Sequence, residues 1–238
     1  MIPKIVHFSW IDDSILNSNH IFPKNTIQKM IELSPSWKFN LSTDKDIDDF
    51  LKSRLDNSDY SLIEHCHIVE KSDIWRLMKL YEEGGLYTDI DRLCNTPLDD
   101  IVDNSIMCIL PTCLDNDFSQ DFMCSAPHNP IFLHTFKLLM ERRKTGWNNT
   151  HFLGPQTYMH GVTMSLFGKI IDANPGLQVF NDIRKELDNH PYILTYREES
   201  PYNTVLYRPK NKKINFDHEC MKRDFYASSK IKHWTGDW

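Results

Sequence analysis

The pair Asp89 and Asp91, one residue apart, offers this chain's clearest chemistry. The chain is rich in aspartate, and the same spacing recurs at Asp44/Asp46, Asp46/Asp48 and Asp115/Asp117, where solvated turns and helix starts account for it. At Asp89 and Asp91 the setting differs, because "LYTDID" follows Gly84-Gly85 and reads as a strand. Residues two apart on a strand point to one face, with Cα atoms roughly 6.7 Å apart. Tyr87, Asp89 and Asp91 are therefore expected on one face, with Leu86, Thr88 and Ile90 on the opposite, core-facing one. Adjacent carboxylates at a strand end repel unless a cation sits beside them. Hard divalent cations such as Mn2+ or Mg2+ prefer such oxygen ligands. A metal held there could neutralise the charge of a departing diphosphate.

The element before this strand must position it. Ile74, Leu77, Met78 and Tyr81 fall at i, i+3, i+4 and i+7, which predicts an amphipathic helix from about Ser61 to Glu83. Gly84-Gly85 ends it, since glycine accepts the left-handed backbone that follows a helix. Asp73 and Arg76 lie three apart on one side of this helix, flanking the apolar stripe at the edge nearest the strand. Spacing alone leaves two readings open. One is a helical ion pair worth a few tenths of a kcal/mol; the other is a carboxylate and a forked donor for sugar hydroxyls or phosphate.

Earlier elements follow the same logic. Pro3 to Trp10 reads as a strand, a helix follows Pro23, and "SWKFNLST" alternates Trp37, Phe39 and Leu41 with polar residues as a second strand. Ser42, Thr43 and Asp44 then offer caps for an acidic helix. Strands alternating with helices predict an α/β sheet with helices on its faces. The second half, interrupted by prolines, is less regular.

Composition bounds the rest. A chain of 238 residues suits one core, so residues 1–238 are expected to form a single domain. The net charge of −6 argues against nucleic acid as a partner. The six cysteines lack a C-x-x-C pair and read as thiols of a reducing compartment. No apolar run approaches the ~20 residues of a membrane span, and "MIPKIVHFSWIDD" lacks the features of a signal peptide. A cytoplasmic protein without an integral membrane segment is the expectation.

The string "SDIWRLMKLYEEGGLYTDID" resembles the D-x-D region of family 32 glycosyltransferases, a group that includes initiating mannosyltransferases, capsule-type sugar transferases and viral enzymes. A similar string occurs in the sugar-transferring domains of large clostridial toxins. "IPKIVHFSW" is similar to the family's opening strand and "HWTGDW" to its C-terminal motif, so the resemblance touches both ends and the middle in order. It implies a GT-A, Rossmann-like fold, with a mixed, mostly parallel sheet flanked by helices. It also implies transfer of a hexose from a UDP- or GDP-sugar to a glycan hydroxyl, with retention, using Mn2+ or Mg2+. Carried over, Asp91 would ligate the metal, Asp89 would contact the ribose or reach the metal through water, and His233 would be a third metal ligand or a diphosphate contact. Trp10 would stack on the base, Trp238 would close over the diphosphate, and Asp73 and Arg76 would hold the donor sugar, with Tyr87 beside them. Gln120 and Asp121 would lie beneath the sugar. The segment around His128-Asn129-Pro130 departs from the family's G-H-P. Rival readings are a phosphohydrolase using Asp89, disfavoured by Leu93 where such enzymes want threonine or valine, and a non-catalytic sugar-nucleotide or glycan-binding module.

Overall fold

The computed structural model describes residues 1–16, 21–102, 104, 108–112, 120–144, 193–199, 204–207 and 213–220. The chain begins with strand β1 (Ile5–Trp10), helix α1 (Ile21–Leu33), strand β2 (Lys38–Thr43) and helix α2 (Asp44–Arg54). Short helix α3 (Asn57–Ser61), helix α4 (Ile68–Glu82), strand β3 (Gly85–Thr88), strand β4 (Arg92–Cys94) and helix α5 (Leu98–Ile101) follow. Strands β5 (Cys108–Thr112) and β6 (Phe122–Ser125) then precede helix α6 (Pro130–Lys144). The remaining described strands are β7 (Ile193–Glu199), β8 (Thr204–Tyr207) and β9 (Lys213–Cys220).

One mixed sheet collects these strands in the order β2-β1-β3-β6-β5-β7-β8-β9-β4. The expected mixed α/β sheet with flanking helices is present, but it is not mostly parallel. Three neighbouring pairs among the described strands are parallel (β1/β2, β1/β3 and β5/β7) and five are antiparallel. The strand–helix alternation of the first ninety residues gives the parallel part; β6 then enters beside β3 in the opposite direction, a pairing that local periodicity cannot announce.

Helix boundaries follow local chemistry. Thr43 and Asp46 form a reciprocal capping box at the start of α2. The long helix begins at Ile68, later than the sequence predicts, because His67 caps the Val69 N–H and Glu70 reaches back to the His67 N–H. At its other end Gly84 and Gly85 have φ of 65° and 97°. A Cβ on Gly85 would stand 2.5 Å from the Ile5 carbonyl oxygen, so glycine is required both for the turn and for the close approach of β1.

The sheet is covered on both faces. Trp75, Leu77, Tyr87, Met123 and Phe132 pack with Ile47 and Leu51 on the side of α2, α4 and α6. Val6, Phe8, Leu86, Ile109 and Cys124 pack with Ile27, Met30, Leu98 and Ile101 on the side of α1 and α5. All four residues of β3 are buried, which places this strand in the middle of the structure with helices over both its faces.

Candidate active site

The parallel strands β1 and β3 run in register, with Val6 opposite Leu86 and His7 opposite Tyr87. Their carboxyl ends therefore bring Ser9 and Trp10 level with the residues that follow Thr88. Those residues do not continue the strand. The Arg92 N–H donates to the Asp89 carbonyl at 3.0 Å, closing a turn over Asp89-Ile90-Asp91-Arg92. The two carboxylates are thus presented by a turn rather than by strand alternation, and Tyr87 lies in the core with its hydroxyl reaching Asp89. Tyr87 is buried in the core, edge-on to Trp75 with ring centroids 6.0 Å apart.

Across this end lies the α4 pair. The Asp73 side chain is 2% exposed and that of Arg76 8%, joined at 2.9 Å, which excludes the exposed helical ion pair. The guanidinium lies 4.4 Å from the centroid of the Tyr87 ring and donates to the Gln120 carbonyl at 2.9 Å. It also stands 3.6 Å from Asp89 Oδ1, which accepts a 2.7 Å hydrogen bond from the Tyr87 hydroxyl. Burial by itself works against the Arg76 charge, but Tyr87, Asp73, Asp89 and Asp121 outweigh it and push the pKa up. Burial, reinforced by Asp89, pushes the Tyr87 phenol well above its usual value despite Arg76, so Tyr87 remains a donor.

Strand β6 supplies the other wall. It pairs antiparallel with β3, and the Asp89 N–H donates to the Asp121 carbonyl at 2.9 Å, extending the ladder beyond Thr88 and Phe122. Gln120 is fully buried and its amide donates to Asp73 Oδ1 at 3.3 Å. Asp121 forms a 2.6 Å ion pair with Arg92. Arg92 is the residue that sequence reasoning missed. It follows the D-x-D immediately, but nothing in the spacing joins it to a carboxylate twenty-nine positions away.

The structure therefore brings Asp73, Arg76, Tyr87, Asp89, Gln120 and Asp121 into one connected network, with Asp91 buried in the adjoining turn. Trp10 is half-buried at the end of β1, where it packs against the α1 and α5 side of the core. His233 and Trp238 lie outside the described residues. Among the described residues no group of three His, Cys, Asp or Glu side chains is arranged to hold a metal. Asp89 and Asp91 nonetheless supply hard oxygen donors from a single turn, the donor type that divalent cations prefer.

With this geometry in view, comparison with known proteins is informative. Residues 23–107, which run from α1 past the D-x-D turn, match the family described as the glycosyltransferase sugar-binding region containing a DXD motif. Over this stretch the chain is similar to the sugar-binding region of that family. Inositol phosphoceramide mannosyltransferase 1 of Schizosaccharomyces pombe is 29% identical over 137 residues, covering 55% of this chain and 40% of that protein. An uncharacterized glycosyltransferase of Acanthamoeba polyphaga mimivirus is 25% identical over 169 residues, covering 68% of this chain and 65% of its own length. Among solved structures, the PaToxG glycosyltransferase is 18% identical with a TM-score of 0.48, covering 79% of this chain and 76% of that one. The chain spans about two fifths of the length of the yeast relatives it matches. No helix among the described residues is long and apolar enough to cross a membrane.

Proposed function

We propose that this chain is a GT-A glycosyltransferase that moves a hexose from a UDP- or GDP-sugar to an acceptor hydroxyl with retention, aided by Mn2+ or Mg2+. The observation that carries this reading is the buried Arg76 network. A guanidinium fixed by Asp73, the Gln120 carbonyl and the Tyr87 ring stands beside a two-aspartate turn at the carboxyl ends of parallel strands. That edge is where open α/β sheets bind ligands.

Asp89 and Asp91 hold the metal, which when bound neutralises charge on the departing nucleotide diphosphate. Asp73 and Arg76 orient the donor sugar, and Gln120 and Asp121 line its underside, with Arg92 fixing the Asp121 carboxylate. Trp10 stacks on the base at the end of β1, and His233 and Trp238 complete the metal and diphosphate contacts. The activities named for the yeast relatives make mannose the first sugar to test, and an inositol phosphoceramide the first acceptor to set beside a soluble glycan.

The test is release of nucleotide from UDP- and GDP-sugars in the presence of Mn2+ and acceptor. Asp91→Asn should lower turnover about a hundredfold or more while the fold persists, since a charged ligand is worth several kcal/mol at such a site. Full activity of Asp91→Asn, or of the wild type in EDTA, would remove the metal from the mechanism. Tight nucleotide binding without turnover across the panel would favour a binding module instead.

A further inference from the structure

The D-x-D turn leads from one part of the sheet to another. Strand β3 before it is third in the strand order and β4 after it is last, so the turn is the crossing between them. Arg92 ends the turn and is also the first rung of β4, paired with Cys220 of β9.

Asp121 on β6 holds this turn at both ends. Its carbonyl accepts the Asp89 N–H at 2.9 Å, and its carboxylate accepts the Arg92 guanidinium at 2.6 Å. The Arg92 N–H in turn closes the loop on the Asp89 carbonyl at 3.0 Å. Asp89 is steadied further by the Tyr87 hydroxyl and by Arg76. Asp91 is the next residue before Arg92, so the direction of its backbone follows from where Arg92 is fixed. The Arg92 and Asp121 side chains are 12% and 8% exposed, and water competes little for the pair. Charge-assisted hydrogen bonds to a guanidinium add geometric specificity as well as energy.

Resting on the proposal that Asp89 and Asp91 hold a divalent cation, we infer that Arg92 is a positioning residue for that cation, fixing the D-x-D turn in its ligating shape through Asp121. Two effects of the residue have opposite signs. As a charge, a guanidinium next to Asp91 repels a cation, so its removal would tighten metal binding. As a clamp, it orders the turn in advance, so its removal would weaken metal binding. Groups that hold metal ligands in place are typically worth about ten- to a hundredfold in metal affinity. The Arg92 charge is already met by Asp121, which leaves the clamp as the larger effect.

Titration of the full chain with Mn2+ alone, with free ion read by electron paramagnetic resonance, tests this without turnover. Arg92→Gln should weaken Mn2+ binding about tenfold or more, and Arg92→Lys less than about threefold, because an ammonium still reaches the Asp121 carboxylate. In an Asp121→Asn background, Arg92→Gln should add less than about threefold, since its partner is already lost. Mn2+ binding unchanged or tighter in Arg92→Gln, with or without a lower unfolding temperature, would overturn the inference and leave the metal reading standing. Equal weakening with and without the Asp121 carboxylate would overturn it too, since Arg92 would then act alone. Should Arg92→Gln fail to fold, Asp121→Asn probes the clamp from its other side, and wild-type Mn2+ affinity in that variant would sink it. No Mn2+ uptake by the wild type would overturn the metal reading and the inference together.

Discussion

Helix α4 buries two cations, Lys71 and Arg76, and uses them differently. Lys71 reaches one carboxylate, Asp48, at 2.5 Å, and the Tyr60 hydroxyl donates to the same group, so the tie between α2 and α4 is closed and matched one to one. Burial alone would raise the Asp48 pKa, but Lys71 and Tyr60 outweigh it and hold the group below its usual value. Arg76 sits in a shared network. It meets Asp73 and Asp89, and Arg92 beside it holds Asp121, with Asp91 buried in the adjoining turn. A matched pair holds helices together and asks for nothing further. A network that gathers several carboxylates and guanidiniums at the carboxyl ends of parallel strands is placed to meet a ligand, which is why the second cluster reads as a site and the first as structure.

The largest expected effect breaks this comparison directly. Arg76→Ala takes the guanidinium away from the buried Asp73 carboxylate and should cost about 3–5 kcal/mol in denaturant unfolding, together with loss of transfer. Lys71→Ala should cost about 1 kcal/mol and leave transfer intact, because Asp48 is 37% exposed and water replaces the lysine. Equal losses of stability and activity in the two variants would erase the distinction.

Gly85→Ala probes the platform under the Arg76 cluster while leaving the Lys71 tie alone. The new Cβ meets the Ile5 carbonyl at a φ of 97°, so β1 and β3 must part. A loss of about 2–4 kcal/mol is expected from strain and displaced backbone. Activity should fall further than stability, since Tyr87 lies two residues along the same strand; a variant as stable and active as wild type would show that the approach of β1 is not needed.

The smallest effect is a pH dependence at a residue that belongs to neither cluster. His7 Nε2 donates to the Gly84 carbonyl at 3.0 Å, and burial lowers its pKa from 6.5 even though Gly84 and Glu83 favour the charged form. The unfolded chain takes up a proton that the folded one resists. Stability from this group is therefore complete above pH 6.5 and declines as pH falls below it. Unfolding of His7→Gln at pH 7.5 and pH 5.5 should show a smaller difference than wild type; an identical slope would assign the acid sensitivity elsewhere.

Much of this arrangement was legible in the sequence, and the exceptions share a cause. Ile74, Leu77, Met78 and Tyr81 announce α4, Gly84-Gly85 its end, and the i, i+3 spacing puts Asp73 and Arg76 together at the strand. These are local signals. The end of β3 ahead of the D-x-D is not readable, because its four buried residues show no alternation. The start of α4 is hard to read because a histidine cap is a weak signal beside serine or aspartate. Arg92 against Asp121, and the antiparallel entry of β6, depend on pairing between residues far apart in the chain, which no periodicity encodes.

That entry has a consequence for how such a molecule can vary. A parallel neighbour would bring its last residues to the edge where β3 ends; β6, running the other way, brings its first, so Gln120 and Asp121 arrive opposite Asp89 at the moment the chain returns. The chain between Cys94 and Gln120 carries α5 and the strand β5, which pairs with β6 and β7, so its described parts are tied into the core. Loop closure grows only slowly with length, about 0.6 kcal/mol for each doubling. Residues added or removed outside α5 and β5 would therefore leave Gln120 and Asp121 opposite Asp89, which frees chain length to change without carrying the chemistry with it.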